Sequence, residues 1–476
     1  MRATTSRRHG ATPARTRLTA IGAVIALTFA ACGGDDDAAD TPSTSAPATD
    51  DPAEASDGDT ADTATEGTET SDATDAIGTA GDEPGDPGDI ASIFAAAGYD
   101  WSDVDLSDVR ITVGQLVPRS GDFTFLGDAM RAGAELAAEQ IAAAGGPTIE
   151  FQAEDIGPGD PQMSTAGART LVADGVGVIQ SSFGPATLAV VPIVEQSGAL
   201  LFQTAGATAD QLEVSEQLWM GRPTATDPFP ALADYVAESS PEITKAATLV
   251  WNEGSAIASA EMITARWAEL GGEITLEELV DVGAADMGPS ATRIIGSDAE
   301  VVFLVVFGGD TATAINALRD GGFEGDILGV DWNPGVTEAT GGADSGFKYV
   351  TDAQDATLAD PFAQLYLSGY PDETGVPIDV FSALFWDNTI HIADLAVRVI
   401  RAGGDPNDGA ALIEALRTDP SMPASSAGTP VGWDVTTKAQ TIKPHGFYEI
   451  IDGVPTLTAI VQDGELMLGA SLGDLE

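Results

Sequence analysis

Apolar and polar positions sort the chain from Val109 onward into short apolar runs alternating with stretches of helical period. Arg110-ITVGQLVP-Arg119 reads as a buried strand. Leu126 to Ala144 (LGDAMRAGAELAAEQIAAA) reads as an amphipathic helix stopped by Gly145-Gly146. The alternation continues with a strand from Thr148 (TIEFQAE), a helix over Pro161 to Ala173, a strand from Val176 (VGVIQS), a helix over Thr187 to Gln196 and a strand from Ala199 (ALLFQTA). A second series comes next: helix FPALADYVAES (from Phe229), strand AATLVW (from Ala246), helix Ser255 to Leu270, and strands EITLEELV (from Glu273) and EVVFLVVF (from Glu300). Helix Thr311 to Asp320 and strand DILGVDW (from Asp326) complete it. Phe381 to Arg401 predicts one long helix, and Phe447-YEII-Asp452-Gly453-VPTLTAIV a late hairpin turning on Asp-Gly. Alternating β and α of this kind predicts an α/β fold with parallel sheets flanked by helices. Residues 109–476 number 368, too many for one such unit and enough for two.

Ahead of this body lie two stretches of different character. Residues 1–17 carry five arginines and no acid, and Leu18 to Ala31 is a 14-residue apolar stretch. A spanning helix needs about 20 apolar residues, so this run reads as the apolar part of a signal peptide, residues 1–31. Arg7-Arg8 lacks the apolar residues expected just after a twin-arginine pair, which favours Sec export. Gly33 to Asp89 holds 14 Asp and 4 Glu with no Lys, Arg or aromatic residue. Such a segment cannot bury enough apolar surface to offset its ordering entropy, and its like charges extend it. The expected tether covers residues 32–105, with a short helix over Ile90 to Gly98 left open.

Charge and composition narrow the function. The chain has 20 basic and 75 acidic residues, a net charge of −55, which excludes nucleic-acid binding through a basic patch. A single cysteine, Cys32, excludes an internal disulfide and a Cys-based zinc cluster, and no metal or cofactor is expected. Gly469-Ala470-Ser471-Leu472-Gly473 fits the G-x-S-x-G elbow of hydrolases, but both body histidines, His391 and His445, precede it. That elbow needs a strand before it, a helix after it and a later histidine, so the match reads as coincidence. No HExxH, Walker A or GxGxxG pattern is present, and the protein is not expected to be an enzyme.

The ordered set of motifs resembles the type I periplasmic binding proteins, specifically the receptors of branched-chain amino-acid ABC importers. The likeness is carried by IxVGxLxPxSG…LG…RAGAELAxEQIxAAGG (from Ile111), SSFGPATLAVVPIVEQSGALL (from Ser181), AGATADQL (from Ala205) and VVFLVVFGGDTATAINALRDGGFEGDILGVDW (from Val301). It covers residues 109–465. The resemblance implies two Rossmann-like lobes joined by a three-crossing hinge, closing on a small molecule. By this likeness lobe 1 takes residues 106–224 and 352–440, and lobe 2 takes 225–351 and 441–476.

An amino-acid zwitterion needs donors at one end and acceptors at the other. Helix starts behind Gly-rich turns supply N–H groups for a carboxylate. The family's ligand loops match this chain at Gly184, Gly206, Ala207 and Thr208, its aromatic wall at Phe307, and its acidic residue at Asp331. Glu253-Gly254-Ser255-Ala256 stands where the family shows an acidic-Ala-Tyr-Gly stretch, and Leu126 where it often has an aromatic residue. These departures imply a remodelled pocket whose cargo need not be Leu, Ile or Val. The segment Phe29-Ala30-Ala31-Cys32 resembles a bacterial lipobox, which implies lipidation at Cys32 and anchoring on the outer face of the cell membrane. The expected partners are a small amino-acid-like ligand and ABC permease subunits, with the protein itself monomeric. A short-amide or urea-type ligand, or a sensor domain on the same fold, is the alternative.

Overall fold

Behind the acidic stretch, a helix precedes the first strand. The computed structural model describes residues 87–475 except 122, 207–210, 212–213, 225–227, 442 and 463. Residues 1–31, Cys32, Ala207 and Thr208 therefore lie outside the described residues. Helix α1 (Pro87–Ala96) leads into a loop whose Tyr99 and Trp101 are buried with Phe94. The expected tether therefore ends too late: residues from Pro87 on belong to the folded body. The cause is aromatic: Phe94 packs 5.6 Å from Trp101 and 5.2 Å from Phe362, burying area that the residues before it lack. Arg401 pairs with Asp103 at 2.6 Å and closes the segment onto the body.

The first sheet is built from β1 (Arg110–Val117), β2 (Thr148–Asp155), β3 (Val178–Ser181), β4 (Leu200–Gln203) and β5 (Leu218–Met220). All pair in parallel, in the order β2-β1-β3-β4-β5. The residues of β3, β4 and β5 are wholly buried, which is why they read as continuous apolar runs without alternation. Helices α2 (Thr124–Ala143), α3 (Pro161–Ala173) and α4 (Gly184–Ser197) connect them.

The chain then crosses to the second lobe, where α5 (Ala231–Ser239), β6 (Lys245–Trp251), α6 (Gly254–Glu269), β7 (Glu273–Val280), α7 (Gly288–Ile295), β8 (Val301–Val305), α8 (Gly309–Asp320), β9 (Asp326–Gly329), α9 (Pro334–Thr340) and β10 (Lys348–Asp352) succeed one another. It returns to the first lobe through α10 (Pro361–Leu367), α11 (Gly369–Thr374), α12 (Val380–Arg401) and α13 (Gly409–Thr418), then β11 (Ser421–Met422), β12 (Val431–Trp433) and β13 (Gln440–Thr441). The third crossing leads to β14 (His445–Ile451), β15 (Val454–Gln462) and β16 (Glu465–Leu468), which extend the second sheet antiparallel. Its order is β16-β15-β14-β10-β9-β8-β6-β7. Asp452 and Gly453 both take positive φ, 53° and 79°, as a two-residue hairpin loop of the primed type requires.

Helix α12 is buried almost throughout and lies on α2, where Gly133 makes the close approach possible. A Cβ on Gly133 would sit 2.1 Å from the Ser382 carbonyl oxygen. Trp386 Nε1 donates to Gln140 Oε1 at 2.8 Å across the same pair. The fold is thus two α/β lobes with parallel sheets and three crossings.

Candidate functional site

In the first lobe, the site is built from the loops that leave three strand ends. Thr187 N–H makes the first intrahelical bond of α4, to Phe183 O at 2.9 Å, so the amides of Gly184 and Ala186 precede the ladder. The helix starts three residues before the expected Thr187. Below it the hydroxyls of Ser181 and Thr187 lie 2.7 Å apart and both reach Gln203 Oε1, at 3.1 and 2.8 Å. That buried network fixes the loop after β3 against the end of β4. Gly206 (φ 68°) backs directly onto Gly184: a Cβ there would lie 3.5 Å from Gly184 N. A Cβ on Gly184 would lie 2.4 Å from Gln211 Nε2, so the Gln211 amide packs directly on this glycine.

In the second lobe, Asp331 lies just past the end of β9 and is buried, 8% exposed. Its Oδ2 accepts the Gly308 N–H at 2.8 Å. Burial pushes the Asp331 carboxyl up to about 6, partly offset by that N–H and by the Arg222 charge. Phe307 is half-buried and packs on Trp251 with centroids 5.2 Å apart. Trp251 is in turn held by Asp310, whose Oδ2 accepts from Trp251 Nε1 and Gly283 N, both at 2.7 Å. Glu253, the first residue of the stretch that stands where the family shows acidic-Ala-Tyr-Gly, serves as N-cap of α6, accepting from Ser255 N at 3.0 Å.

The two halves meet through aromatic rings. Phe123, after β1, sits edge-on to Phe183 at 5.6 Å, and a Cβ on Gly308 would fall 2.7 Å from Phe123 Cε1. Gly206, Gly184, Phe183, Phe123, Gly308 and Asp331 therefore form one continuous series of contacts, with Phe307 adjoining. Phe123 and Phe183 are not among the residues nominated from the sequence, yet they carry this series of contacts. Each is an aromatic residue immediately before a first-lobe helix, Phe123 before α2 and Phe183 before α4.

Behind this series the crossings carry buried charge. Arg222 Nη2 pairs with Asp352 Oδ1 at 2.8 Å, joining the first crossing to the second. Lys443 Nζ pairs with Asp387 Oδ2 at 2.9 Å, joining the third to α12. Asp387 also accepts Ser426 N and Oγ at 2.7 and 2.8 Å. Burial pushes Asp352 up, yet Arg222, then Lys443 and His445, hold it below the usual carboxylate value. Several buried polar atoms nearby have no partner among the described residues: Gln211 Oε1, Arg222 Nε, Thr224 Oγ1 and Asn333 Nδ2. Buried polar groups normally pair, so these atoms call for partners beyond the described residues.

The elbow-like Gly469–Gly473 stretch does something else. Ser471 caps a short turn, its backbone N–H and hydroxyl both donating to Asp474 Oδ2, at 2.9 and 2.8 Å. His391 lies inside α12, edge-on to Trp433 at 5.7 Å, and burial lowers its ring to about 4, so it is neutral at physiological pH. Among the described residues no helix is long and apolar enough to cross a membrane.

The family model described as "periplasmic binding protein" matches residues 110–454. A Leu/Ile/Val-binding protein homolog of Brucella melitensis is 25% identical over 346 residues, covering 69% of this chain and 88% of that protein. Among solved structures, the branched-chain amino acid transporter substrate binding protein of Streptococcus pneumoniae, in complex with isoleucine, superposes with a TM-score of 0.65 at 18% identity. The alignment covers 75% of this chain and 99% of that one. An ABC transporter solute binding protein of R. palustris in complex with benzoate gives 0.65 at 18% identity, over 76% and 99% of the two chains.

Proposed function

This chain belongs to the periplasmic binding protein family, and from that premise we propose that it captures an amino acid or similar small polar metabolite between its lobes and delivers it to an ABC importer. The observation that carries the ligand class is Asp331, a buried carboxylate without a direct cationic partner among the described residues, joined through Gly308, Phe123 and Phe183 to the first turn of α4. An ammonium group restores the charge of Asp331, and a carboxylate suits the helix start and the Gly184–Gly206 backbone. Ala207 and Thr208 continue that loop and complete the carboxylate end. Phe307 and Phe123 supply the apolar walls. Binding and lobe closure are the whole of the work, since a ligand touching both lobes favours the closed arrangement.

Calorimetry with a panel of amino acids, benzoates and short amides tests this reading. Amino-acid binding that is lost in Asp331→Ala supports it. Binding of benzoate with none of any amino acid would overturn it, because a carboxylate-only ligand has no use for Asp331. A neutral amide or urea is the second reading, favoured by the raised Asp331 carboxyl: near neutrality its protonated fraction can donate to an amide oxygen.

Export and anchoring complete the proposal. Residues 1–31 direct export, Cys32 carries the lipid, and the acidic tether, now ending before Pro87, spaces the lobes from the outer face of the membrane. The lobes are taken to divide at crossings near residues 224, 352 and 441. Several acyl chains on one cysteine give stable attachment where a single one does not. Cys32→Ser is expected to release protein into the medium with its ligand affinity unchanged. Retention of the variant on carbonate-washed membranes would rule the anchor out.

A further inference from the structure

A cavity of about 530 Å³ lies between the lobes, apart from the contact series described above. Trp332, Tyr349 and Tyr448 bound it on the second lobe, and Leu367, Pro371 and Asp379 on the first. None of Phe123, Phe183, Gly184, Gly206, Phe307, Gly308 or Asp331 lines it. Its volume falls within the range of roughly 300–1,000 Å³ typical of small-molecule sites.

Three features give it a chemistry. The rings form a rigid apolar wall, Trp332 stacking on Tyr349 at 5.8 Å and Tyr349 on Tyr448 at 5.3 Å. Within that wall the Trp332 and Tyr448 polar atoms are used, by Asp344 at 3.1 Å and the Gln354 carbonyl at 2.5 Å. The Tyr349 hydroxyl, on a side chain 6% exposed, makes no hydrogen bond among the described residues. Charge is the third feature: Asp355 and Asp379 line the cavity, and no Lys, Arg or His among the described residues does. Nor is Asp379 paired with a cation among them. Its Oδ1 accepts from Phe381 N and Ser382 N of its own helix at 2.9 and 3.0 Å, and its Oδ2 accepts from Ser382 Oγ at 2.6 Å and retains one acceptor site.

We propose that this cavity is a second binding site, for a small organic ammonium ion with an apolar body. The ammonium donates to the Tyr349 hydroxyl oxygen and lies in the negative field of Asp379 and Asp355. The alkyl or aryl body packs on the rings, Leu367 and Pro371. A molecule held there touches both lobes, so its binding favours one lobe arrangement over others. The site is separate from the amino-acid cleft and does not depend on the identity of the ligand there.

Calorimetry on the full chain with n-butylammonium and phenethylammonium, against n-butanol and phenethyl alcohol, tests it. The amines should bind one per chain and at least about tenfold more tightly than the alcohols, as expected for a hydrogen bond to a charged group. Asp379→Asn, which keeps a capping side chain, and Tyr349→Phe should each weaken the amines about tenfold. Thr456→Trp, which fills the cavity from an exposed rim position, should abolish binding. Asp331→Asn should leave the amines bound. Equal binding of amines and alcohols overturns the proposal, as does no amine binding at all. Loss of the amines in Asp331→Asn together with wild-type binding in Thr456→Trp also overturns it, by placing them in the amino-acid cleft. If Thr456→Trp does not fold, Tyr349→Phe and Asp379→Asn decide by themselves.

Discussion

Gly308 of the second lobe and Phe123 of the first touch so closely that no side chain fits between them: a Cβ on Gly308 would lie 2.7 Å from Phe123 Cε1. Gly308 also has φ 62° and ψ −132°, a conformation that side-chain-bearing residues rarely adopt. Its N–H holds Asp331, so one residue sets both the lobe contact and the orientation of the acid. Gly308→Ala is expected to cost about 1–3 kcal/mol of the closed, ligand-bound form through strain and overlap. Ligand affinity measured by calorimetry should fall roughly tenfold or more, while Gly322→Ala, also at positive φ but on an open surface, should leave affinity unchanged. Equal affinity in Gly308→Ala and the parent would remove the lobe contact from the binding step.

Asp331 links ligand binding to pH. Its folded value, about 6, lies above the ordinary 3.8, so between these values the folded protein holds more protons than the unfolded chain. Stability without ligand therefore falls as pH rises from about 4 to 6 and stays lower above that. Asp331→Asn should raise the melting temperature at pH 7, by a gain on the order of 1–3 kcal/mol that vanishes below pH 4. A ligand ammonium reverses the balance by favouring the ionised carboxylate. Its affinity should drop as pH falls below 6, with proton release on binding visible as a buffer-dependent heat. An affinity flat between pH 5 and 8 would show that no ammonium meets Asp331.

The buried pair Lys443–Asp387 ties the third crossing to α12. Lys443→Met leaves Asp387 with only the Ser426 donors, an uncompensated buried charge that typically costs about 3–5 kcal/mol. Asp387→Asn added to Lys443→Met should recover a large part of that loss. Urea unfolding of the two single variants and the double variant checks it, and strictly additive losses would contradict the pairing.

Trp101 fastens the segment before β1 to the first lobe. Its ring lies against Gly146, where a Cβ would come within 2.3 Å of Cζ3, and its Nε1 donates to Asp394 Oδ1 at 3.0 Å. Trp101→Ala is expected to destabilise the body by about 3–5 kcal/mol, the usual cost of emptying a large aromatic site. A melting temperature within a degree of the parent would mean that this segment is not part of the first lobe's core.

Much of the architecture was legible along the chain because its cause is local. Periodicity set the β1–α2 unit, the β6–α6 unit and β8–α8, and Asp452-Gly453 specified its hairpin because few other pairs tolerate two left-handed residues in succession. Short elements escaped. β5 is three residues long, and β11, β12 and β13 are two or three, too few to display a period, so pairing with neighbours alone makes them strands. Helix α7 spans only eight residues, scarcely two turns, too short for its period to stand out along the chain.

The site divides differently. Gly184, Gly206, Phe307 and Asp331 are nominated through the family resemblance, which matches them by position along an ordered set of motifs, and not from local geometry. The sequence by itself determined the α/β alternation, the single cysteine behind an apolar run, the acidic stretch with nothing to bury, and the turns that end each strand. Tertiary structure decided that Phe123 meets Gly308, that Arg222 pairs with Asp352 across 130 positions, that Lys443 finds Asp387, and that Asp331 is buried enough to hold its proton toward neutral pH. These depend on desolvation and on distances between residues remote in sequence, and neither quantity exists until the two lobes fold and the three crossings bring their ends together.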